Sequence, residues 1–285
     1  MAIRKAVIPA AGLGTRMLPA SKVVPKVLIT LVDRPVIQYA VEELAAAGID
    51  QVCIVISKGQ EAVIDHFHPA PAIEEALEAR GKQELLRDLQ SVSRIANVTS
   101  VYQDEPLGLG HAVLCAEDWV GEEPFVVALP DEVYDPATAC VKDLIAGFED
   151  SSKSSIAVTR VPMTDISLYG AVEVTGGEPF FRATAVVEKP LQQEAKSDLA
   201  SVGRYALHPE IFEVLQNLPA GQGGEIQLAD ALHTLAERDR LGAFRYDGRR
   251  WDVGNKRGLL EATIAIAANR ADMAEAVRDQ LSSLN

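Results

Sequence analysis

Apolar residues along this chain follow two rhythms. Short β-branched runs at 6–9 and 52–56 predict strands. Between them Val36, Ile37, Ala40, Val41, Leu44 and Ala45 recur at helical spacing, and Gly48 suits the helix stop. A polar helical stretch at 72–93 follows, then a strand at 98–102, a short helix at 112–117 and an apolar buried strand at 125–129. Strand, helix, strand, helix predicts an α/β fold: a parallel sheet covered by helices on both faces. Beyond Ser151 the strands shorten, with 155–161, 171–174, 183–187 and 202–207 predicted before helices at 209–218 and 226–238. An alanine-rich helical tail at 257–280 has small apolar residues on one side, suited either to self-association or to covering the sheet of its own chain. Without internal repeats or a disordered linker, the expectation is one domain over 1–285.

Composition narrows the partners. Of 285 residues 48% are hydrophobic and 24% charged, an ordinary globular balance. The 27 basic and 41 acidic side chains leave a net charge of −14, which repels phosphate backbones and excludes nonspecific nucleic-acid binding. A phosphate-bearing ligand must therefore be small and met by a local group of cations. No apolar run approaches the roughly 18 residues of a membrane span, so no membrane partner is expected. The amino-terminal segment lacks a signal-like apolar core. Cys53, Cys115 and Cys140 are widely separated, without a C-x-x-C pair, and read as buried thiols in a reducing cytoplasm.

The string AVIPAAGLGTRMLPASKVVPK at 6–26 holds the candidate chemistry. It is not the dinucleotide fingerprint, whose third glycine would fall on Met17, and it lacks the G-x-x-x-x-G-K-[ST] of a P-loop. It nevertheless leaves a strand directly, at the sheet edge where α/β proteins bind ligands. Gly12 and Gly14 let backbone N–H groups approach an anion, Arg16 offers a planar fork of donors, and Lys26 a compact mobile charge. On the glycines alone, a tight turn with solvated cations fits equally well.

The whole string A-A-G-L-G-T-R-M-L-P with Pro25-Lys26 resembles the signature of sugar-1-phosphate nucleotidyltransferases. The resemblance continues through VDRPVIQYAVEELAAAGI, YQDEPLGLGHAVLCAEDWVGEEPFVVALPDEV, VVEKP, VGRYALHPEIF, GGEIQLADAL and WDVGNK, in the order seen in bacterial UTP–glucose-1-phosphate uridylyltransferases. It implies a Rossmann-like mixed, mostly parallel central sheet with helices on both faces, extra strands and a C-terminal helical tail. It divides the domain into a nucleotide-binding half at about 1–150, a sugar-binding half at about 151–255 and a tail at about 256–285. It implies UTP and glucose 1-phosphate as substrates, UDP-glucose and pyrophosphate as products, Mg²⁺ as cofactor, and a homodimer or homotetramer.

That chemistry needs cations and a metal rather than a strong base, because the attacking phosphate oxygen is already anionic. The resemblance assigns Arg16 to the triphosphate, Lys26 to the α-phosphate and Lys189 to the sugar phosphate. Asp131 would hold Mg²⁺, with Asp252 as second ligand or water holder. Ala10, Ala11, Gly12, Gly14 and Thr15 would line the nucleotide, and Gln103 and Gly108 would meet the base. A glutamine amide matches the O4 and N3–H edge of uracil, which thymine shares, so UTP and dTTP are not separated. Gly170, Glu188, Gly203 and Glu225 would meet the sugar; both Glu188 and Lys189 reach one ligand only if Pro190 marks a bend. Each has a plainer reading: Asp131 as a turn residue or helix cap, Glu188–Lys189 as an exposed pair, Glu225 as a first-turn glutamate, the glycines as strand bends. Asp65-His66-Phe67-His68 does not present both histidines on one helix face, and Asp131, Glu132 and Asp135 lack a calcium-loop frame. One departure stands out: Val27-Leu28-Ile29-Thr30 replaces the family's usual Glu-Met-Leu-Pro. It leaves two alternatives to uridylyl transfer, a noncatalytic sugar-nucleotide-binding paralogue and a thymidylyltransferase using dTTP.

Overall fold

In the computed structural model, which describes residues 2–219, 221 and 224–283, the apolar runs split residue by residue between two faces. The strands are β1 (Lys5–Pro9), β2 (Thr30–Leu31), β3 (Arg34–Pro35), β4 (Gln51–Ile56), β5 (Asn97–Tyr102), β6 (Phe125–Ala128), β7 (Glu132–Tyr134), β8 (Ser154–Arg160), β9 (Gly170–Gly176), β10 (Phe180–Glu188), β11 (Leu199–Leu207), β12 (Leu241–Arg245) and β13 (Arg250–Asp252). The helices are α1 (Val36–Ala46), α2 (Ala62–Asp65), α3 (Pro71–Ala79), α4 (Gln83–Val92), α5 (Leu109–Leu114), α6 (Glu117–Val120), α7 (Cys140–Ser151), α8 (Glu210–Asn217), α9 (Leu228–Glu237), α10 (Lys256–Asn269) and α11 (Ala274–Ser283). Side chains alternate across a strand, so Ala6, Ile8, Val52 and Ile54 pack with α1 and α7. Val7, Cys53, Val55 and Val127 face the other way, onto α5, α8 and α9. A strand buried on both faces reads as an unbroken apolar run.

Nine strands form one sheet in the order β5-β4-β1-β6-β11-β8-β12-β10-β9. Its first part, β5-β4-β1-β6, is parallel, as is β12 beside β8; β11 joins β6 and β8 antiparallel, and β9-β10-β12 run antiparallel. The later strands thus extend the same sheet. Two small ladders, β2-β3 and β7-β13, lie outside it.

Several boundaries differ from the periodicity. The polar stretch at 72–93 is two helices, α3 and α4, separated at Gly81, whose φ of +65° lies in the left-handed region. The predicted helix at 112–117 is α5 followed by α6, and the tail is α10 and α11 rather than one helix. Ala262 and Ala265 of α10 pack with Leu31, Val133, Trp251 and Val253, so that face of the tail covers its own chain. No described helix is long and apolar enough to cross a membrane. Cys53 and Cys140 are buried and Cys115 half-buried, all three as free thiols.

Candidate active site

The glycine-rich loop begins where β1 ends, and the ladder continues into it. The Ala10 amide donates to the Val55 carbonyl at 2.8 Å and the Gln103 amide to the Ile56 carbonyl at 2.9 Å, aligning the C-terminal ends of β1, β4 and β5. Ser57 Oγ donates to the Ala11 carbonyl at 2.9 Å. Gly14, at φ +64°, folds the loop back so tightly that a β-carbon there would lie 2.8 Å from Lys26 Cβ. Gly12 faces the same side chain, 4.0 Å from Lys26 Cε by the same measure. Thr15 and Arg16 sit on the 3₁₀ turn Thr15–Met17, and Lys26 starts another, Lys26–Leu28. Val27, at the departure from the family pattern, is buried in the core with Ile8, Ala10 and Ile37, which anchors the residue following Lys26.

Asp131 lies in the turn between β6 and β7, at the end of a strand adjacent to β1. Its Oδ2 is 2.7 Å from Lys26 Nζ and 3.7 Å from Arg16 Nη2. Burial raises this carboxyl, but Lys26 and then Arg16 outweigh it and hold it below its usual range. The β7-β13 register sets Asp252 opposite Glu132, and the Val253 amide extends the ladder onto the Asp131 carbonyl at 2.8 Å. Asn255 then caps α10 by accepting from the Gly258 amide at 2.9 Å, while its Nδ2 donates to Asp252 Oδ2 at 3.0 Å. Gly254 closes the figure. A β-carbon there would lie 2.8 Å from Asp131 Oδ2, 2.9 Å from Arg16 Nη2 and 3.0 Å from Asp252 Oδ1. Side chains from positions 16, 131 and 252 therefore converge on one point.

Two residues of this region have no role assigned from sequence, Glu132 being weighed only against a calcium loop. Arg204, fully buried, donates to Glu43 Oε2 at 2.8 Å and to the carbonyls of Leu129 and Glu132, both at 2.8 Å. Its guanidinium lies over the Tyr134 ring, 4.4 Å from the centroid. It thus grips the backbone on both sides of Pro130-Asp131; the available signal was an arginine inside the otherwise apolar strand VGRYAL. Glu132 pairs with Arg250 at 2.8 Å; burial raises its carboxyl and Arg250 opposes that.

The remaining candidates form two further groups. Gln103 Nε2 contacts the Gly108 carbonyl at 3.1 Å, and Gly108, at φ +96°, abuts 225–226 so closely that a β-carbon would lie 2.9 Å from Glu225 Cβ. Glu225 therefore stands beside the expected base residues. It does not begin a helix as predicted: α9 starts at Leu228, after Gln227 in extended backbone, and Asp230 is the acid of its first turn. Gly223, which precedes it in the motif, lies outside the described residues. Gly170 pairs with Glu188 in the β9-β10 register. Lys189 Nζ reaches Glu188 Oε1 at 3.1 Å, and the bend that allows this is Lys189 itself, at φ +44°, rather than Pro190. Gly203 lies with the Asp131 turn: its carbonyl accepts from the Leu129 amide at 2.9 Å, and a β-carbon would lie 3.1 Å from Glu132 Cγ. Arg250, over the Tyr169 ring, links that turn to the Lys189 group, because the Lys189 amide donates to the Tyr169 carbonyl at 3.0 Å. In the 65–68 segment, His66 meets Gln38 and His68 the Val98 carbonyl. A hollow of about 330 Å³ lined by Tyr39, Glu43, Tyr134 and Thr138 includes none of Arg16, Lys26, Asp131 and Lys189 in its lining.

A mixed α/β sheet whose first loop meets a mid-chain aspartate at the C-terminal strand ends has these residues where such sheets bind ligands, and the chain belongs to the nucleotidyl transferase family, which matches residues 5–269. It is 42% identical over 280 residues to a UTP–glucose-1-phosphate uridylyltransferase of Bacillus subtilis, covering 98% of this chain and 94% of that protein. Among solved structures it resembles a UTP-bound UDP-glucose pyrophosphorylase of Acinetobacter baumannii at 37% identity and a TM-score of 0.93, covering 99% of this chain and 100% of the other. A UDP-glucose pyrophosphorylase complexed with UDP-glucose is similar at 36% identity and a TM-score of 0.84, covering 94% and 100%.

Proposed function

We infer that this chain transfers a uridylyl group from UTP to glucose 1-phosphate, forming UDP-glucose and releasing pyrophosphate. The observation that carries this is the convergence of Arg16, Asp131 and Asp252 at Gly254, with Lys26 against the same Asp131 oxygen. Full-length similarity to uridylyltransferases supports the choice of substrates. A phosphate oxygen of glucose 1-phosphate attacks the α-phosphorus, and the bond from that phosphorus to the bridging oxygen of the β-phosphate breaks. No proton need be removed from the attacking group; the obstacle is repulsion between anions. Lys26 neutralises the α-phosphate, Arg16 the departing pyrophosphate, and Lys189 the sugar phosphate. Glu188 and Glu225 accept from sugar hydroxyls, with Gly170 and Gly203 giving backbone its close approach. Ala10, Ala11, Gly12, Gly14 and Thr15 line the nucleotide, and Gln103 and Gly108 meet the base.

Asp131 and Asp252 would hold a divalent cation. Their oxygens lie within 3.0 Å of one point, and among the described residues no third acid, His or Cys completes a protein-only cage. Two carboxylates, with water and phosphate oxygens completing the shell, would suit Mg²⁺. When bound, that ion would add charge neutralisation at the phosphates. We read 1–150 as the nucleotide half, 151–255 as the sugar half and 256–285 as the tail of one domain. Leu260 and Ile264, exposed one turn apart on α10, support a homodimer or homotetramer. The free thiols support a cytoplasmic setting.

The test is pyrophosphate release across UTP, dTTP, ATP and GTP against several hexose 1-phosphates. UTP with glucose 1-phosphate is expected to be the fastest pair. No release from any pair supports a noncatalytic binder, and dTTP outrunning UTP supports thymidylyl transfer.

A further inference from the structure

Gln103 follows β5 and is only 7% exposed, so each polar atom of its side chain needs a partner or a ligand. Its Nε2 lies 3.1 Å from the Gly108 carbonyl oxygen. A carbonyl only accepts, so the amide must turn its NH₂ toward Gly108; reversed, two oxygens would face each other. The same Nε2 lies 3.0 Å from His111 Nδ1. That ring nitrogen must then carry its lone pair, which puts the imidazole proton on Nε2. Both N–H groups of Gln103 are thereby used. Among the described residues nothing donates to its Oε1, so this side chain offers a ligand an acceptor and no donor.

The frame holding His111 is rigid. His111 lies in the first turn of α5, where the Gly110 amide donates to the Ile226 carbonyl at 2.8 Å. A β-carbon at either Gly108 or Gly110 would come within 2.8 Å of that carbonyl, so backbone packs on backbone at both positions. One turn onward, Cys115 Sγ lies 3.8 Å from His111 Nδ1, and burial keeps it a thiol rather than a thiolate.

We propose that His111 is a positioning residue which makes Gln103 acceptor-only and so sets nucleobase choice: the site takes a base whose facing ring nitrogen bears hydrogen. This rests on the reading that Gln103 meets the base. Uracil presents N3–H to Gln103 Oε1, whereas cytosine N3 presents a lone pair and leaves two acceptors opposed. The amide therefore reads the imide N–H and not O4, and it does not separate uracil from thymine. Without His111 the Gly108 carbonyl still holds one N–H, but the second N–H loses its acceptor and is free to donate to a base, cytosine included.

The test measures binding of UTP, CTP and N3-methyl-UTP by calorimetry without sugar phosphate, then turnover with glucose 1-phosphate. Wild-type protein is expected to bind CTP and N3-methyl-UTP at least about tenfold more weakly than UTP, since a buried hydrogen-bonding group is left unpaired. In His111→Ala the UTP-over-CTP preference should fall about tenfold, the change lying in KM for nucleotide more than in kcat. His111→Asn, whose Oδ1 can stand in for Nδ1, should restore most of the preference. An unchanged ratio in folded His111→Ala, or no recovery in His111→Asn, overturns the proposal. Equal binding of UTP and N3-methyl-UTP by the wild type overturns it without any variant. Failure of wild-type turnover with UTP would count against the uridylyltransferase reading, while the binding ratios still judge His111.

Discussion

Two lysine–carboxylate pairs, one in each half of the chain, are held very differently. Lys26 and Asp131 meet at 2.7 Å with side chains 20% and 18% exposed. Lys189 and Glu188 meet at 3.1 Å with side chains 63% and 35% exposed. The first pair joins residues far apart in sequence, and three structures fix it: the loop folded at Gly14, the β7-β13 ladder and Arg204 beneath the turn. The second joins neighbours at a strand end, where water screens the charges and side-chain entropy opposes a single geometry. Preorganised charge is worth most where solvent is excluded. The group around Lys26 and Asp131 is therefore built in advance, and the Glu188–Lys189 pair is left free to move.

Removing the support of the first pair should have the largest effect. Arg204→Met leaves Glu43 without its partner and strips donors from the carbonyls of Leu129, Gly203 and Glu132. Breaking a buried ion pair from one side costs about 3–5 kcal/mol, and urea unfolding should read a loss of that size. Adding Glu43→Leu should recover part of it, because no buried charge then stands alone. A single-variant loss below about 1 kcal/mol would mean that the turn is held without Arg204.

The next effect falls on chemistry. Asp131→Asn keeps an oxygen that can accept from Lys26, so folding should be nearly intact. The lost negative charge, however, should lower kcat about 10²–10³-fold, the scale for removing one preorganised electrostatic group. Rates measured across a Mg²⁺ titration, beside thermal unfolding, decide it. An unchanged rate in saturating Mg²⁺ would dissolve the distinction between the two pairs.

What could be read in the sequence follows the same division. Runs such as VCIVI and FVVA announce buried strands, because burial on both faces leaves no polar residue to confuse the period. The loop at 6–26 stands out because its glycines and cations lie close together, but on its own it fits a tight turn equally well, and its ligand assignment rests on resemblance. Strands β2, β3, β7, β12 and β13 and helices α2 and α7 have no counterpart in the periodicity. The three-residue β7 and β13 acquire meaning only through pairing with each other, and no local pattern announces a partner 118 residues away. Arg204 escapes notice for a related reason: three of its partners are backbone carbonyls, which carry no residue identity, and its carboxylate partner Glu43 is 161 residues away. Gly-Gly-Glu before an apolar stretch reads as a helix start at Glu225, whereas the next residue, Ile226, donates to the Leu107 carbonyl and accepts from the Gly110 amide instead. The Asp131–Asp252 meeting likewise came from resemblance between motifs, since spacing alone is silent on ladder register.

The smallest effect belongs to the exposed pair. Lys189→Met should change unfolding free energy by no more than about 0.5 kcal/mol, because a screened surface pair contributes little. Its consequence should be confined to the sugar phosphate, with KM for glucose 1-phosphate rising about tenfold as one charge-assisted hydrogen bond is lost. UTP binding without sugar should stay as it was, because the Lys26–Asp131 group is complete without Lys189. Steady-state kinetics with each substrate varied in turn, alongside UTP calorimetry, separate these outcomes. A parallel rise in KM for UTP would show that the two halves are one coupled unit. Nucleotide binding would then depend on the exposed lysine, and the firmness of the first pair would not explain it.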